Sequence, residues 1–429
     1  MIFRFLFLLL ICWVGCQPKV SVRYFEQNEI VVVPESYEEE SERKIIRGRY
    51  YSNTNQCCRD KENYIPDTTQ PLLNREKVIR VNFHYTHAAD SSGNNLAGNK
   101  AYYYTKELLK ESEKRYRNNV PMLLPVRGQD PPVLPTLFHL KWVIDDSIEN
   151  NRGVYHHYDD KLYYYVTKGK YKNNYNKEVI KKYGVGLDSI MNVFIMPPPP
   201  DSVDSPTYKL YSSGIALRNA LKITGPSWGA YAGDIAKLFN HELGHNLGLA
   251  HAWTGNDGCD DTPKHPNCWS EHSTKKGYDC DTLVSNNVMD YNNYQEAWSP
   301  CQIGRIQYNL NVEKGRMRKF LEKEWCTLEE SSTVVIQEDT VWEKEIDLYG
   351  NLIISDGATL TMMCRTSIPT DGKITIKPNG KLILNNAKIH NDCGNTWKGI
   401  IIERRKNSEG SIVLKGAAQL LDIEDWIYE

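Results

Sequence analysis

The sequence predicts two folded units of different class. The first is an α+β domain with a mixed twisted sheet, a candidate active-site helix and an irregular C-terminal subdomain. The second is an all-β domain with the pattern of a parallel β-helix-like solenoid. Three observations carry this expectation. From Val78 to the helix around His241, apolar strand patterns alternate with amphipathic helix patterns. After His251 periodicity gives way to a stretch rich in cysteine and acid. From Thr333 onward, short apolar runs alternate with Asp-Gly, Asn-Gly and Gly-Asn turns at a regular spacing.

A chain of 429 residues should hold two or three domains, and its 40% hydrophobic content is enough for ordinary cores. A formal net charge of −2 gives no global attraction to nucleic acid or to an anionic membrane. Residues 1–16 have the form of a targeting segment: Arg4 supplies a positive charge, and Phe5 begins an apolar run, ending at Val14, that is too short to span a bilayer. Val14-Gly15-Cys16 resembles the end of a bacterial lipoprotein signal, with Cys16 as the lipidated first residue. The alternative is an ordinary cleaved secretory signal. Either implies an exported, secreted or envelope-bound protein that touches a membrane only through Cys16. Of the 11 cysteines, those beyond Cys16 are Cys57, Cys58, Cys259, Cys268, Cys280, Cys301, Cys326, Cys364 and Cys393. In an exported chain they read first as disulfides, and because their number is odd at least one stays free, binds metal or pairs elsewhere.

Residues 17–77 are polar and poorly periodic, as in a linker or pro-segment, and the acidic run from Ser36 to Glu42 reads as solvated. The α+β domain is expected over 78–326. Alternation over 78–85 gives a strand, and Tyr104, Leu108, Leu109 and Tyr116 near helical spacing give a helix over 97–118. Prolines from Pro121 to Pro135 mark a loop, and 137–144 reads as a second strand. Residues 178–183 form a short helix closed by Gly184, and 190–196 form a buried strand stopped by Pro197. Residues 213–217 fit an edge strand. Ile235, Leu238, Phe239 and Leu243 then define the buried face of the next helix.

That helix carries His241-Glu242-Leu243-Gly244-His245, continued to Gly248 and His251. Histidines four apart on a helix lie on one side, a turn apart, where one metal ion can take both. Glu242 beside them can polarise a water without being a ligand. Gly248 can end the helix in a left-handed conformation and turn His251 back as a third nitrogen donor. Three protein ligands with one open position are the pattern of a catalytic zinc site. A lone His-Glu-x-x-His could be an ordinary amphipathic helix; the correctly spaced glycine and third histidine argue against that.

The run His241 to His251, followed by Asn287-Val288-Met289-Asp290-Tyr291 as a Met-turn, resembles the metzincin zinc metallopeptidases. Asp261-Thr262-Pro263 after the third histidine, with cysteines on both sides of the Met-turn, resembles the pappalysin (cytophagalysin, M43-like) group among them. The resemblance covers about residues 78–325 and implies a metzincin catalytic domain acting on proteins or peptides. It implies Zn2+ on His241, His245 and His251, Glu242 as general base, and Tyr291 near the metal as an oxyanion stabiliser. Met289 would be the hydrophobic floor. An edge strand would bind substrate by extending the sheet. The resemblance also implies disulfides Cys259–Cys280 and Cys268–Cys301. It suggests Ca2+ as a second ion, for which Asp257, Asp260 and Asp261 offer oxygens. The Cys57-Cys58 pair could hold a thiolate that caps the zinc, or a disulfide partner for a later cysteine. Glu296, in the segment after the Met-turn, suggests a preference for basic residues beyond the cleaved bond; Trp298 suggests an apolar one.

Ser299-Pro300-Cys301-Gln302 is a capping box with proline at the first helical position, and Ile303, Ile306 and Leu310 continue that helix inward. Over 333–429 a loose repeat recurs at Asp356-Gly357-Ala358, Asn379-Gly380-Lys381 and Lys415-Gly416-Ala417. It fits stacked β-helix rungs, with a small β-sandwich as the alternative. The pattern runs to the last residues, so a longer solenoid is expected. A rival function is a surface binding or adhesion protein in which the β-rich part does the work. The intact His241, Glu242, His245 and His251 set favours an enzyme, and hydrolysis of a non-peptide amide remains the third option. The sequence assigns no oligomeric state.

Overall fold

The computed structural model describes residues 20–24, 32–33, 55–90, 95–144, 153–167, 172–198, 213–225 and 231–424. The signal segment and Cys16 lie outside these. The first two strands are β1 (Val20–Tyr24) and β2 (Val32–Val33), and the long β3 (Lys77–His87) opens the α+β region. Helix α1 (Gly98–Arg117), β4 (Phe138–Trp142), β5 (Val154–Tyr158), α2 (Glu178–Tyr183), β6 (Met191–Met196), β7 (Gly214–Ala216), β8 (Ala220–Thr224), α3 (Ala232–Asn246) and α4 (Pro300–Asn311) follow. The sheet runs β4-β3-β6-β8-β7, with β5 also on β3. The first half of β3 pairs with β4 and the second half with β5, so one strand serves two neighbours on the same edge. All pairings are parallel except β7–β8.

A parallel sheet covered on both faces needs strands that are apolar throughout. Strand β6 comes nearest to this. In β3 and β8 the face toward α1 and α3 is apolar, Ile79, Val81, Phe83, Val193, Ile195, Leu221 and Ile223 of the three strands being fully buried, while the opposite face buries the polar Asn82, His84, Thr86 and Lys222. On one face α1 presents Ala101, Leu108 and Tyr116, and α3 presents Phe239 and Leu243, to a common core. Asn240 Nδ2 of α3 donates to the Ser112 carbonyl of α1 at 3.1 Å, which fixes the rotation of α3 about its axis. Leu238 is only partly buried at the margin. Helix α4 starts with the expected capping box between Ser299 and Gln302. Two strands were not legible in the sequence: β5 (VYHHY) is polar, and β8 is short and hides behind the edge strand.

The C-terminal region is strand-rich and, apart from the antiparallel pair β18–β19, parallel. Its strands are β9 (Val334–Ile336), β10 (Thr340–Trp342), β11 (Ile346–Asp347), β12 (Leu352–Ile354), β13 (Thr359–Met362), β14 (Thr366–Ser367), β15 (Lys373–Ile376), β16 (Lys381–Asn385), β17 (Lys388–His390), β18 (Gly399–Arg405), β19 (Ser408–Glu409), β20 (Ser411–Lys415) and β21 (Gln419–Leu420). They sort into three sheets: β18-β15-β12-β9, β10-β13-β16-β20 and β11-β14-β17-β21. Each sheet takes every third main strand, and equivalent apolar residues stack, as in Leu352↔Ile374 and Leu360↔Leu382. Strands β1 and β2 join the last strands of two of these sheets, β1 antiparallel to β18 and β2 parallel to β20.

Residues 55–76 bridge the two regions. Tyr64 meets Tyr308 of α4 edge-on at 5.2 Å, and Cys58 is bonded to Cys364. The vicinal pair therefore supplies a disulfide partner, and Cys57 is the free thiol among the described residues. Below this bridge lies a buried ion cluster. Asp347 accepts Lys77 Nζ at 2.8 Å, both terminal nitrogens of Arg318 at 2.8 and 2.9 Å, and Arg365 at 2.9 Å. Cys326–Cys393 closes the same junction. Among the described residues no helix is long and apolar enough to cross a membrane.

Candidate metal centre

Helix α3 carries His241 and His245 on the side that faces the irregular segment 252–299. It ends where the sequence predicts: Gly248 takes φ +99°, and Leu249 N–H closes back on the Gly244 carbonyl at 3.0 Å. A side chain at Gly248 would also strike Asn309, which caps the Leu247 carbonyl at 2.9 Å. The reversal brings His251 to the other two, and the ring nitrogens of His241, His245 and His251 gather within 4.8 Å of one another.

Two of the imidazoles have a fixed tautomer. His241 Nδ1 is 2.7 Å from the Val288 carbonyl and His245 Nδ1 is 3.0 Å from the Leu249 carbonyl. A carbonyl can only accept, so each Nδ1 carries the proton and each Nε2 presents a bare lone pair. His245 Nε2 lies 3.0 Å from His251 Nε2. Tetrahedral zinc with nitrogen ligands requires a separation of about 3.3 Å, so the donor set fits zinc. Burial lowers the His241 and His251 imidazoles to about 3 and about 4, with the neighbouring His245 adding to both, and burial lowers His245 too. All three are thereby kept neutral. No fourth His, Cys, Asp or Glu joins the group among the described residues, and a set of three protein ligands is the kind that keeps a position for water or substrate.

Glu242 is buried and stands outside the imidazole group. Burial pushes its carboxyl up to about 8, opposed by a hydrogen bond from the Ala216 backbone. A cation at the imidazoles would pull it back down. Edge strand β7 lies directly against this side chain: a Cβ on Gly214 would stand 2.6 Å from Glu242 Cγ, so only glycine permits the approach. Met289 is fully buried beneath the helix at Gly244. Tyr291 is half-exposed, with its hydroxyl 3.2 Å from His251 Nε2 and its ring 5.0 Å from that imidazole.

Around this centre the structure corrects the expected disulfides. Cys259 pairs with Cys301, and Cys268 with Cys280, instead of Cys259–Cys280 and Cys268–Cys301. The reason is the cap of α4. Asp261 accepts the Ser299 hydroxyl at 2.7 Å and the Cys301 N–H at 2.9 Å, and Arg305 donates to the Gly258 carbonyl at 3.1 Å. These contacts hold 258–261 on the first turn of the helix, opposite Cys301. Asp257 is likewise engaged within the chain, by Thr262 at 2.8 Å and Cys259 N–H at 3.2 Å. The carboxylates of Asp257, Asp260 and Asp261 form no common ligand group among the described residues. Glu296 pairs with Arg115 of α1 at 3.3 Å while its side chain stays 44% exposed, and Trp298 is buried in the main core. Sequence reasoning missed Asp290 and Gln295; Gln295 Nε2 donates to the Asp290 carbonyl at 2.9 Å.

Residues 173–311 match the peptidase M43 family model, described as pregnancy-associated plasma protein-A. Among solved structures, the chain is similar to mature mirolysin of Tannerella forsythia in complex with a cleaved peptide, at 15% identity over 57% of this chain and 95% of that one, with a TM-score of 0.36. It is similar to mirolysin in complex with compound 9 at 15% identity over 57% and 96%, again with a TM-score of 0.36. No curated protein sequence matches the chain significantly.

Proposed function

We propose that the chain is an exported zinc endopeptidase of the pappalysin (peptidase M43) family, in which His241, His245 and His251 hold the zinc and Glu242 is the general base. The observation that carries this reading is the convergence of three imidazoles, two with Nδ1 tied to carbonyls, beside a buried carboxylate that is not one of the group. Zinc, when bound there, supplies a Lewis acid that activates water and polarises the scissile carbonyl. Glu242 accepts the proton of the attacking water and delivers it to the leaving amine. Burial favours this exchange, because it brings the carboxyl into the range where it can both take and return a proton. The Tyr291 hydroxyl, half-exposed beside His251, donates to the oxyanion. An extended peptide adds to the sheet along β7, whose one side is paired with β8.

Three further parts belong to the proposal. Residues 78–326 form the catalytic domain, and 333–429 form a β-solenoid whose stacked parallel sheets enclose an apolar interior. Residues 1–16 are an export signal ending in a lipidated Cys16. The four disulfides among the described residues support an oxidising destination outside the cytosol.

The test is cleavage of a proteome-derived peptide library with and without a strong chelator, using the parent chain and two variants. Glu242→Ala should retain about one equivalent of zinc and lose turnover by about 10²–10⁴-fold. His245→Ala should lose both zinc and turnover. Near-normal rates for Glu242→Ala, or chelator-resistant cleavage by the parent, would overturn the reading.

A further inference from the structure

The three imidazoles are not held alike. His241 and His245 each have Nδ1 bonded to a backbone carbonyl, the arrangement that usually fixes the orientation of a ligating histidine. His251 has no such bond: among the described residues its hydrogen-bond contacts, to His245 and Tyr291, are both made through Nε2. Its ring is held by faces instead. Trp253 stacks on it at 4.1 Å and 22°, and the Trp253 ring in turn leans on Tyr291 at 4.4 Å.

What holds Trp253 is Asp290, the residue after Met289. Asp290 is almost fully buried. Its Oδ1 accepts the Trp253 N–H at 2.9 Å, and its Oδ2 accepts His265 Nε2 at 2.8 Å and the Ser285 hydroxyl at 2.6 Å. The His265 tautomer follows from its other nitrogen, which accepts the Asn267 N–H at 3.1 Å, so Nε2 carries the proton toward the carboxylate. His265 N–H closes the loop by donating to the Trp253 carbonyl at 3.3 Å. One buried carboxylate thus binds both ends of segment 253–265 to the Met-turn. We propose that Asp290 is a positioning residue for the third imidazole: by fixing the Trp253 backbone it sets the ring stack that orients His251 toward the metal. Asp290 is not one of the metal-binding group; its charge reaches the His251 imidazole, and its hold on the ring's orientation runs through Trp253.

This inference rests on His251 being a ligand, and one experiment separates the two. Zinc affinity is measured by competition with a chromophoric chelator on full-length protein, in the parent, Asp290→Asn, Trp253→Leu, His251→Ala, and each of the first two combined with His251→Ala. Asp290→Asn replaces one acceptor oxygen with an NH2, which, whichever way the amide turns, faces a donor, Trp253 N–H on one side or His265 Nε2–H on the other, so the hub cannot keep all its bonds. Asp290→Asn and Trp253→Leu should each weaken zinc binding by about 10–100-fold, the range for loss of a partner that orients a ligand. In the His251→Ala background each should change affinity less than about twofold, because the ring they orient is gone. The proposal is overturned if Asp290→Asn binds zinc like the parent, or if it weakens binding equally in both backgrounds, which is the mark of a merely structural role. If Asp290→Asn does not fold, Trp253→Leu decides by the same criterion. Should His251→Ala itself leave zinc affinity unchanged, the ligand assignment fails, independently of Asp290.

Discussion

The α+β region and the strand-rich region both rest on parallel sheets, yet they distribute their stabilising contacts differently. In the strand-rich region the same contact recurs: Leu352 on Ile374, Leu360 on Leu382, Ile389 on Leu420. Each strand of a sheet repeats the apolar contact made by its neighbour in that sheet. In the α+β region nearly every residue near the imidazoles has one partner found nowhere else, such as Val288 for His241, Leu249 for His245 and Asp290 for Trp253. Repetition tolerates local loss; a centre assembled from single contacts does not. Where the two regions meet, the contacts are again single, and they are charged.

The sharpest way to break the contrast is at that junction. Burial alone would raise the Asp347 carboxyl, but Arg318, Lys77 and Arg365 hold it well below the usual carboxylate range. Asp347→Ala would leave three buried cations around an empty place, and removing one partner of a buried ion cluster costs about 3–5 kcal/mol. Urea unfolding should show that loss, with the two regions separating into distinct transitions, since Asp347 is the carboxylate shared by Lys77 of the α+β region and Arg365 of the strand-rich region. A single transition with an unchanged midpoint would mean that the disulfides at Cys58 and Cys326 suffice to unite them.

A smaller effect is expected within the repeat. Ile374 is fully buried between strand neighbours, and Ile374→Ala should cost about 2–5 kcal/mol through the cavity it leaves. Peptide cleavage at room temperature should stay within about twofold of the parent, because nothing near the imidazoles depends on Ile374. Loss of turnover in the folded variant would show that the strand-rich region contributes to the peptidase site.

These contrasts also explain what could be read from sequence. Helix α3, its glycine stop and the capping box of α4 were legible because each is a local pattern with fixed spacing. The stacking in the C-terminal region was foreshadowed by repeated turn residues for the same reason. The disulfide pairing was not, because Asp261 capping α4 decides which cysteine faces Cys259, and a cap contact across forty residues leaves no periodic trace. The ion cluster was invisible too: Lys77 and Asp347 are 270 residues apart, and each alone reads as an ordinary surface charge. Strand β5 was missed because its histidines looked polar; in the structure they lie against β3 in pairs.

Those pairs set the last and smallest expectation, which concerns acid. His84 Nδ1 meets His157 Nε2 at 2.9 Å on one face of the sheet, and His87 Nε2 meets His156 Nδ1 at 3.0 Å on the other. The groups around them are aromatic or neutral: Tyr155, Phe194, Tyr183 and Asn82 near the first pair, Tyr85 and Tyr158 near the second. The nearby carboxylate, Asp159, is taken up by Lys182 and Tyr183. Burial, and then the charge of the partner imidazoles, lowers His87 and His157 to about 4 and carries His84 well below its ordinary value. The unfolded chain therefore binds more protons than the folded one below about pH 6.5. The stability these neutral pairs contribute is present in full above that value and is lost as pH falls from there through about 4. In the strand-rich region one histidine, His390, is lowered to about 4, by burial and then by Arg365 and Lys388. Acid should accordingly loosen the α+β region first. Hydrogen exchange on the Glu242→Ala variant, which removes self-cleavage, should show protection in β3 and β5 falling between pH 6.5 and 5 while β12, β13, β15 and β16 stay protected. His157→Phe keeps the stack on Tyr183 without a titrating group and should flatten the response of β3 and β5. Equal loss in both regions, or an unchanged response in His157→Phe, would place the acid sensitivity elsewhere.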